Sequence, residues 1–303
     1  MKKVLVTGAT GFIGRHSLRP LQARGYEVHA MYFDFPLEDA PGVIWHQANI
    51  LDGDSVRSLC ESINASHLLH FAWYVNPKDY KISSENERWA AATLSLLKAF
   101  RACGGVRAVL AGSCIEYDLS AAEDSYSEGM AAKNQPTAYG RAKNETRRLA
   151  EAFSKENGLN LAWGRIFFLY GPHEARERLV PHVITTLLKG TPALLTSCEQ
   201  IRDYMYVKDV ADAFASIADS DVTGAINVCS GNAYSVKEVV LCIARLIGKP
   251  DLLRFNVRPD RDEPKRIVGN IQRLENEVGW RPHYSLERGI KETVEWWGSR
   301  PAK

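Results

Sequence analysis

Val4-Leu5-Val6-Thr7-Gly8-Ala9-Thr10-Gly11-Phe12-Ile13-Gly14 is the stretch on which the reading of the fold turns. The apolar run over 3–7 has the length of a buried strand, and the spacing over 12–24 is helical and stops at Gly25. Between them Gly8, Gly11 and Gly14 recur as G-x-x-G-x-x-G. A chain that turns sharply from strand to helix needs a residue without Cβ, and a phosphate that lies against bare backbone needs the same absence. The helix start adds free N–H groups and a partial positive charge. The stretch therefore predicts a strand–turn–helix unit holding the pyrophosphate of a dinucleotide, with Gly8, Thr10, Gly11, Phe12, Ile13 and Gly14 around it.

Outward from that unit the chain keeps alternating. Strands are expected over 26–32, 43–47, 67–72, 106–112 and 159–166, and helices over 54–63, 84–103 and 138–157. This alternation predicts an α/β fold, a Rossmann-type doubly wound parallel sheet with helices on both faces. After Gly171-Pro172 the rhythm loosens. Helices are expected over 179–189, 207–219, 235–247 and 286–297, and one more strand over 225–229. The segment 249–264 is rich in Pro, Asp and Arg, as a ligand-facing loop would be. The expected division is a dinucleotide-binding domain over 1–168, rejoined by 203–232, and a smaller α/β substrate domain over 169–202 and 233–303.

Composition narrows the function classes. The chain has 303 residues, 45% hydrophobic and 24% charged, with a net charge of +2, so nothing favours nucleic acid or an anionic membrane as partner. No apolar run approaches the roughly 20 residues of a membrane helix. The apolar stretch after Met1-Lys2-Lys3 is too short and too glycine-rich for a signal peptide, so the cytoplasm is the expected compartment. Cys60, Cys103, Cys114, Cys198, Cys229 and Cys242 show no C-x-x-C spacing and no neighbouring His cluster. They are expected as reduced thiols, with no metal site.

Which dinucleotide is bound depends on the end of the second strand, where NAD enzymes usually carry an acid for the ribose hydroxyls. Tyr32 stands there, with Asp34 two residues on, and Arg15 directly after Gly14 is placed to meet a 2′-phosphate. The balance leans slightly to NADP(H) over NAD. Asn49 and Ile50 after the third strand are candidates for the adenine edge, and Phe71, Ala72 and Trp73 after the fourth complete the candidate cofactor set.

Tyr-x-x-x-Lys occurs at Tyr74/Lys78, Tyr139/Lys143 and Tyr204/Lys208, so context must choose. Pro77 disrupts a helical turn in the first. The last lies in an alternating, strand-like stretch, where i and i+4 are more than about 10 Å apart. Tyr139 and Lys143 follow Pro136-Thr137, with Thr137 as N-cap, and share one helix face. A phenol of pKa about 10 needs a cation beside it to exchange protons near neutrality. Ser113, at the end of the fifth strand, is the hydroxyl expected to polarise a carbonyl beside Tyr139.

These motifs together resemble the extended short-chain dehydrogenase/reductases, the NAD-dependent epimerase/dehydratase family. The matching stretches are VLVTGATGFIG, HLLHFAW, AGSCIEYD, PTAYGRAK, GRIFFLYGPHE, IRDYMYVKDVADAF, AINVCSG, RPDRDEP and LENEVGWRP. The resemblance implies a C-terminal domain for a nucleoside diphosphate sugar and a homodimer through a four-helix bundle of 84–103 and 138–157. It implies Ser113, Tyr139 and Lys143 as catalytic trio, and Arg202 and Arg258 as the grip on the diphosphate, which guanidinium suits by its bidentate geometry.

Departures from the family pattern carry information. The 4,6-dehydratases place Asp-Glu after the catalytic Ser/Thr, where this chain has Cys114 and Ile115, so sugar dehydration is not expected. Phe168 and Trp89 stand where the family often has Asn, which implies a more apolar pocket. Cys114 is an alternative acid/base if it lines the pocket, and His182 matches a histidine acid of some epimerase/reductases. The expected activity is a 4-keto sugar reductase or dehydrogenase, with a 4-epimerase holding NAD tightly as the alternative. A non-catalytic cofactor sensor is disfavoured because Tyr139 and Lys143 are both kept.

Overall fold

The computed structural model describes residues 2–120, 123–130 and 135–300. The chain begins β1 (Lys2–Thr7), α1 (Gly14–Ala23), β2 (Tyr26–Tyr32), β3 (Ile44–Gln47), α2 (Gly53–Ile63), β4 (His67–His70) and α3 (Glu85–Ala102). It continues with β5 (Arg107–Ser113), α4 (Ala138–Asn157), β6 (Asn160–Ile166), β7 (Phe168–Tyr170) and α5 (Leu179–Leu188). Then come β8 (Ala193–Leu194), β9 (Ile201–Arg202), β10 (Tyr204–Tyr206), α6 (Val207–Asp219), β11 (Gly224–Val228) and β12 (Tyr234–Ser235). The last elements are α7 (Val236–Ile247), β13 (Leu253–Arg254), β14 (Arg266–Ile267), α8 (Gln272–Asn276) and α9 (Leu286–Gly298).

Seven strands form one sheet in the order β11-β6-β5-β4-β1-β2-β3. Every pairing in it is parallel. The order reverses between β4 and β1, and in open α/β sheets ligands bind at that crevice, outside the carboxyl ends of the strands. Alternate residues feed opposite cores, because side chains in a strand alternate faces. Val4 and Val6 pack with α1 and α6, and Leu5 packs with α2, α3 and α4 on the other face. A third core joins α5, α7 and α9 through Val183, Ile184, Val240, Ile243 and Ile290.

The helix termini follow local chemistry. Thr137 caps α4 by accepting from the N–H of Gly140 at 3.0 Å, and Gly158 ends that helix in the left-handed region at φ 61°. The short strands β8, β9, β12, β13 and β14 had no sequence signature, since pairs of this length are fixed by what packs around them. The strand-like expectation around Tyr204/Lys208 is corrected in part. Tyr204 is on β10, but Lys208 lies in the first turn of α6, so the two never share a helix face.

Candidate active site

The glycine loop has the geometry a dinucleotide needs. Gly8 sits at φ +67°, and a Cβ there would stand 2.7 Å from the backbone nitrogen of Ala72. A Cβ on Gly14 would stand 2.1 Å from the Gly8 carbonyl oxygen. The loop is therefore pressed against Phe71-Ala72 at the end of β4, and α1 is pressed against the loop. Helix α1 opens with no side-chain cap and no acid in its first turn, so nothing opposes its dipole towards an anion. These features fit a pyrophosphate. Phe12, Ile13 and Thr10 are partly buried along the loop.

Arg15 is held differently from the expectation. Its guanidinium donates to the Thr10 carbonyl at 2.8 Å and bonds the His173 ring, and burial lowers its pKa. It is committed to the loop and to the turn after Pro172. Tyr32 ends β2, with its ring edge-on to Trp45 at 6.2 Å, and Asp34 is exposed. The Asn49 side-chain oxygen accepts from the N–H of Leu51 at 3.0 Å and holds the turn at the end of β3, where Ile50 is buried.

Ser113, Tyr139 and Lys143 are brought together by β5 and α4. Ser113 ends β5, and its side chain is placed to favour the phenolate form of Tyr139. One turn on, the Lys143 ammonium donates to the Ala111 carbonyl at 2.9 Å. It lies 3.6 Å from the centre of the Trp73 ring, which is fixed by a 2.9 Å bond from its indole N–H to Asn86. Burial depresses Lys143 to about 7. The same desolvation raises the Tyr139 phenol, opposite to the expected direction. Loss of hydration outweighs the Ser113 side chain, which favours the phenolate.

The floor under the trio was missed in the sequence. Glu116 is fully buried, yet it accepts from the Ser113 backbone N–H at 2.7 Å, the Trp163 indole at 2.9 Å and Arg165 Nε at 3.1 Å. A lone acid in GSCIEY and a lone base in LAWGRIF were the available signal. Tyr80 had none, since only tertiary packing sets its ring edge-on to Tyr139 at 5.1 Å. Arg178 of the turn before α5 reaches the Tyr80 hydroxyl at 3.5 Å.

The remaining candidates divide. Arg202 is 3% exposed, lies 5.3 Å over the Phe168 ring and pairs with Glu263 at 3.3 Å. That pair docks RPDRDEP against β9, and Asp260 of the same loop accepts from Ser197 N–H at 3.0 Å. Arg258, at the start of the loop, is exposed. Cys114 is buried among Tyr117, Tyr126, Phe167, Cys229 and Ile267, and its thiol is pushed up to about 12 by desolvation. That makes it a poor acid/base. His182 is half-buried on α5, whose inner face packs with α7 and α9, so it belongs to a different packing unit from Cys114. Ile115 covers Gly140 of α4, where a Cβ would meet its side chain at 2.9 Å. Among the described residues, no cluster of three or more His, Cys, Asp and Glu could hold a metal, and no helix is long and apolar enough to cross a membrane.

A parallel doubly wound sheet, a glycine loop at its switch point and a Ser/Tyr/Lys trio beside it define a dinucleotide-dependent enzyme of the short-chain dehydrogenase/reductase type. The family model for the NAD dependent epimerase/dehydratase family matches residues 4–229, and this chain belongs to that family. Among its relatives, UDP-glucuronic acid decarboxylase 1 of Xenopus tropicalis is 25% identical over 97% of this chain and 71% of its own length. UDP-glucose 4-epimerase of Rhizobium meliloti (strain 1021) is 26% identical over 98% and 97%. Among solved structures, the Thermus thermophilus UDP-glucose 4-epimerase in complex with NAD superposes with a TM-score of 0.80 at 27% identity, covering 98% of this chain and 99% of that one.

Proposed function

We propose that this protein is an NAD(P)-dependent oxidoreductase of a nucleoside diphosphate sugar, and that it reduces a 4-keto group to the alcohol. The observation that carries the reading is Tyr139 and Lys143, both buried one turn apart on α4 and facing the end of β5 that carries Ser113, with no acid at 114 or 115. Such a site can move one proton at one oxygen. It lacks the paired acid and base that water elimination from the sugar requires.

The nicotinamide ring supplies the hydride when the cofactor is bound. Ser113 donates a hydrogen bond to the carbonyl oxygen and polarises it. Tyr139 passes its proton to that oxygen as the carbon is reduced, and Lys143 as the ammonium stabilises the phenolate that remains. A phenol pushed up by burial is protonated at neutral pH, which is the form a reductase needs. Arg202 and Arg258 take the diphosphate, Arg202 exchanging Glu263 for it. Phe168 and Ile115 give the sugar an apolar surface. With Arg15 committed to Thr10 and His173, the lean to NADP(H) rests on the missing acid at Tyr32 alone. NAD, the cofactor named for the Thermus relative, stands equal to it. We read the packed pair α3 and α4 as one half of a homodimer's four-helix bundle.

A 4-epimerase is the second reading, favoured by the Rhizobium relative, which matches over 97% of its own length. The test is the ultraviolet spectrum and cofactor content of the purified protein, then NADPH and NADH consumption with 4-keto-6-deoxy sugar nucleotides. Stoichiometric oxidation of added cofactor supports the reductase. Tightly bound NAD and no net consumption support the epimerase.

A further inference from the structure

We propose that Glu116 is a positioning residue for proton transfer: its buried carboxylate fixes the end of β5 that presents Ser113 and supplies the negative charge that keeps Lys143 an ammonium. This rests on the reading of Ser113, Tyr139 and Lys143 as the reacting trio, and extends it to a group that touches neither cofactor nor sugar.

The site is built rather than incidental. Glu116 is 0% exposed. One carboxylate oxygen accepts from the Ser113 N–H at 2.7 Å and the Trp163 indole at 2.9 Å. The other accepts from Arg165 Nε at 3.1 Å and the same indole at 3.0 Å. Arg147 of α4 stands 3.9 Å away. Gly112 makes room for the arrangement, since a Cβ there would stand 2.6 Å from the carboxylate and 2.1 Å from the indole nitrogen. A bond at the backbone of Ser113 holds the hydroxyl-bearing carbon, while the Ser113 oxygen accepts from Ile115 N–H at 3.3 Å. The bend Ser113–Glu116 is thus closed from both ends, as a capping box closes a helix start.

An uncompensated buried carboxylate is costly, and Arg165 beside it answers that cost. Yet this pairing alone does not account for a carboxylate lodged under the trio. The Lys143 ammonium lies 5.9 Å from the centre of the Trp163 ring whose indole N–H holds the carboxylate, and the negative charge raises Lys143 against the burial that lowers it and raises Tyr139 in the same direction as burial. The other groups facing them are accounted for. His70 is buried beside Lys143 and depressed to about 3, hence neutral, and Cys114 is pushed up to about 12 and also neutral. Tyr117 lies under Arg165, 4.4 Å from it, and Glu128 accompanies Arg165 from the loop side through its carbonyl. Among these groups Glu116 is the acid bonded to the end of β5; the Glu128 carboxyl accepts from the Asn227 N–H at 2.8 Å, and Arg147 also pairs with Glu151 at 2.6 Å.

The experiment is the pH dependence of NADH affinity, followed by NADH fluorescence on the full chain, in the wild type, Glu116→Gln, Glu116→Asp, Arg147→Gln and Lys143→Met. If the ammonium bonds the cofactor, wild-type affinity falls on the alkaline side and Lys143→Met removes that fall. If Lys143→Met leaves the fall in place, the trio reading itself is wrong. Given a Lys143-dependent fall, Glu116→Gln moves it to lower pH by on the order of one unit, and Glu116→Asp restores most of it. Arg147→Gln, which removes an opposing cation, moves it upward by a few tenths. It carries the test alone if circular dichroism shows that Glu116→Gln does not fold. A Lys143-dependent transition that stays in place in every folded variant overturns the proposal.

Discussion

The floor and the wall of the site are held in different ways. The floor is carried by the end of a seven-residue strand in mid-sheet, with Ser113 and Glu116, and by the start of α4, with Tyr139 and Lys143. Its charges are enclosed, Glu116 paired with Arg165 and Lys143 bonded to the Ala111 carbonyl. The wall, Arg202 with Phe168 and the loop over 258–264, is built on strands of two and three residues. Its ion pair reaches solvent, since the Glu263 side chain is 42% exposed. Placement by the sheet suits a group that must meet a reacting atom to within a fraction of an ångström. Placement by a loop suits groups that exchange one anion for another. In this reading chemistry is fixed in the floor and substrate choice is left to the wall.

Substitutions on the two sides should separate cleanly. Tyr139→Phe removes the proton donor and should lower turnover of a 4-keto sugar nucleotide by about 10²–10⁴-fold. NADH binding, read by fluorescence, should stay within about threefold. A comparable loss of NADH affinity would mean that Tyr139 builds the pocket rather than acting in it. On the wall, Arg202→Ala should raise KM by about 10–100-fold, the value of a charge-assisted contact, with kcat nearly kept. A fall confined to kcat would move Arg202 to the chemistry.

Stability gives a third contrast. Lys143 titrates at about 7 in the folded protein and near 10.4 unfolded. Between those values the unfolded chain binds the extra proton, so stability is full above the upper value and is lost as pH falls towards the lower one. Lys143→Met should therefore raise the Tm of the cofactor-free protein by roughly 5 °C at about pH 6 and much less near pH 10. An equal rise at both would mean that packing against Trp73, and not charge, is responsible. The smallest effect is expected for Glu263→Gln, which frees Arg202 and should lower KM by about threefold or less, the value of an exposed pair. A large change would show that the pair shapes the loop.

The parts of this architecture that sequence exposed are those governed by local periodicity and turn chemistry. The helix over 138–157 is capped by Thr137 and stopped by Gly158, and those residues announce it directly. The glycine loop was legible because strand, glycines and helix adjoin in sequence. The pairing of Tyr139 with Ser113 was legible because one stands on a helix face and the other at a strand end. The commitment of Arg15 to His173 was not, since 158 residues separate them and neither carries a pattern. The direction of the Tyr139 shift was also missed, because the burial that raises it cannot be read from a four-residue spacing. Glu116 is plain in GSCIEYD, but its burial and its pairing with Arg165, 49 residues further on, are set by tertiary packing.

The central claim is that one carbonyl carbon receives a hydride while Tyr139 supplies the proton. The direct measurement is incubation with NADH or NADPH deuterated at C4, together with a nucleoside diphosphate 4-keto-6-deoxy sugar, and mass and NMR analysis of the product. One deuterium at sugar C4 is expected for each cofactor oxidised, abolished in Tyr139→Phe. Sugar product without deuterium from the added cofactor, or turnover that needs no added cofactor, would contradict it.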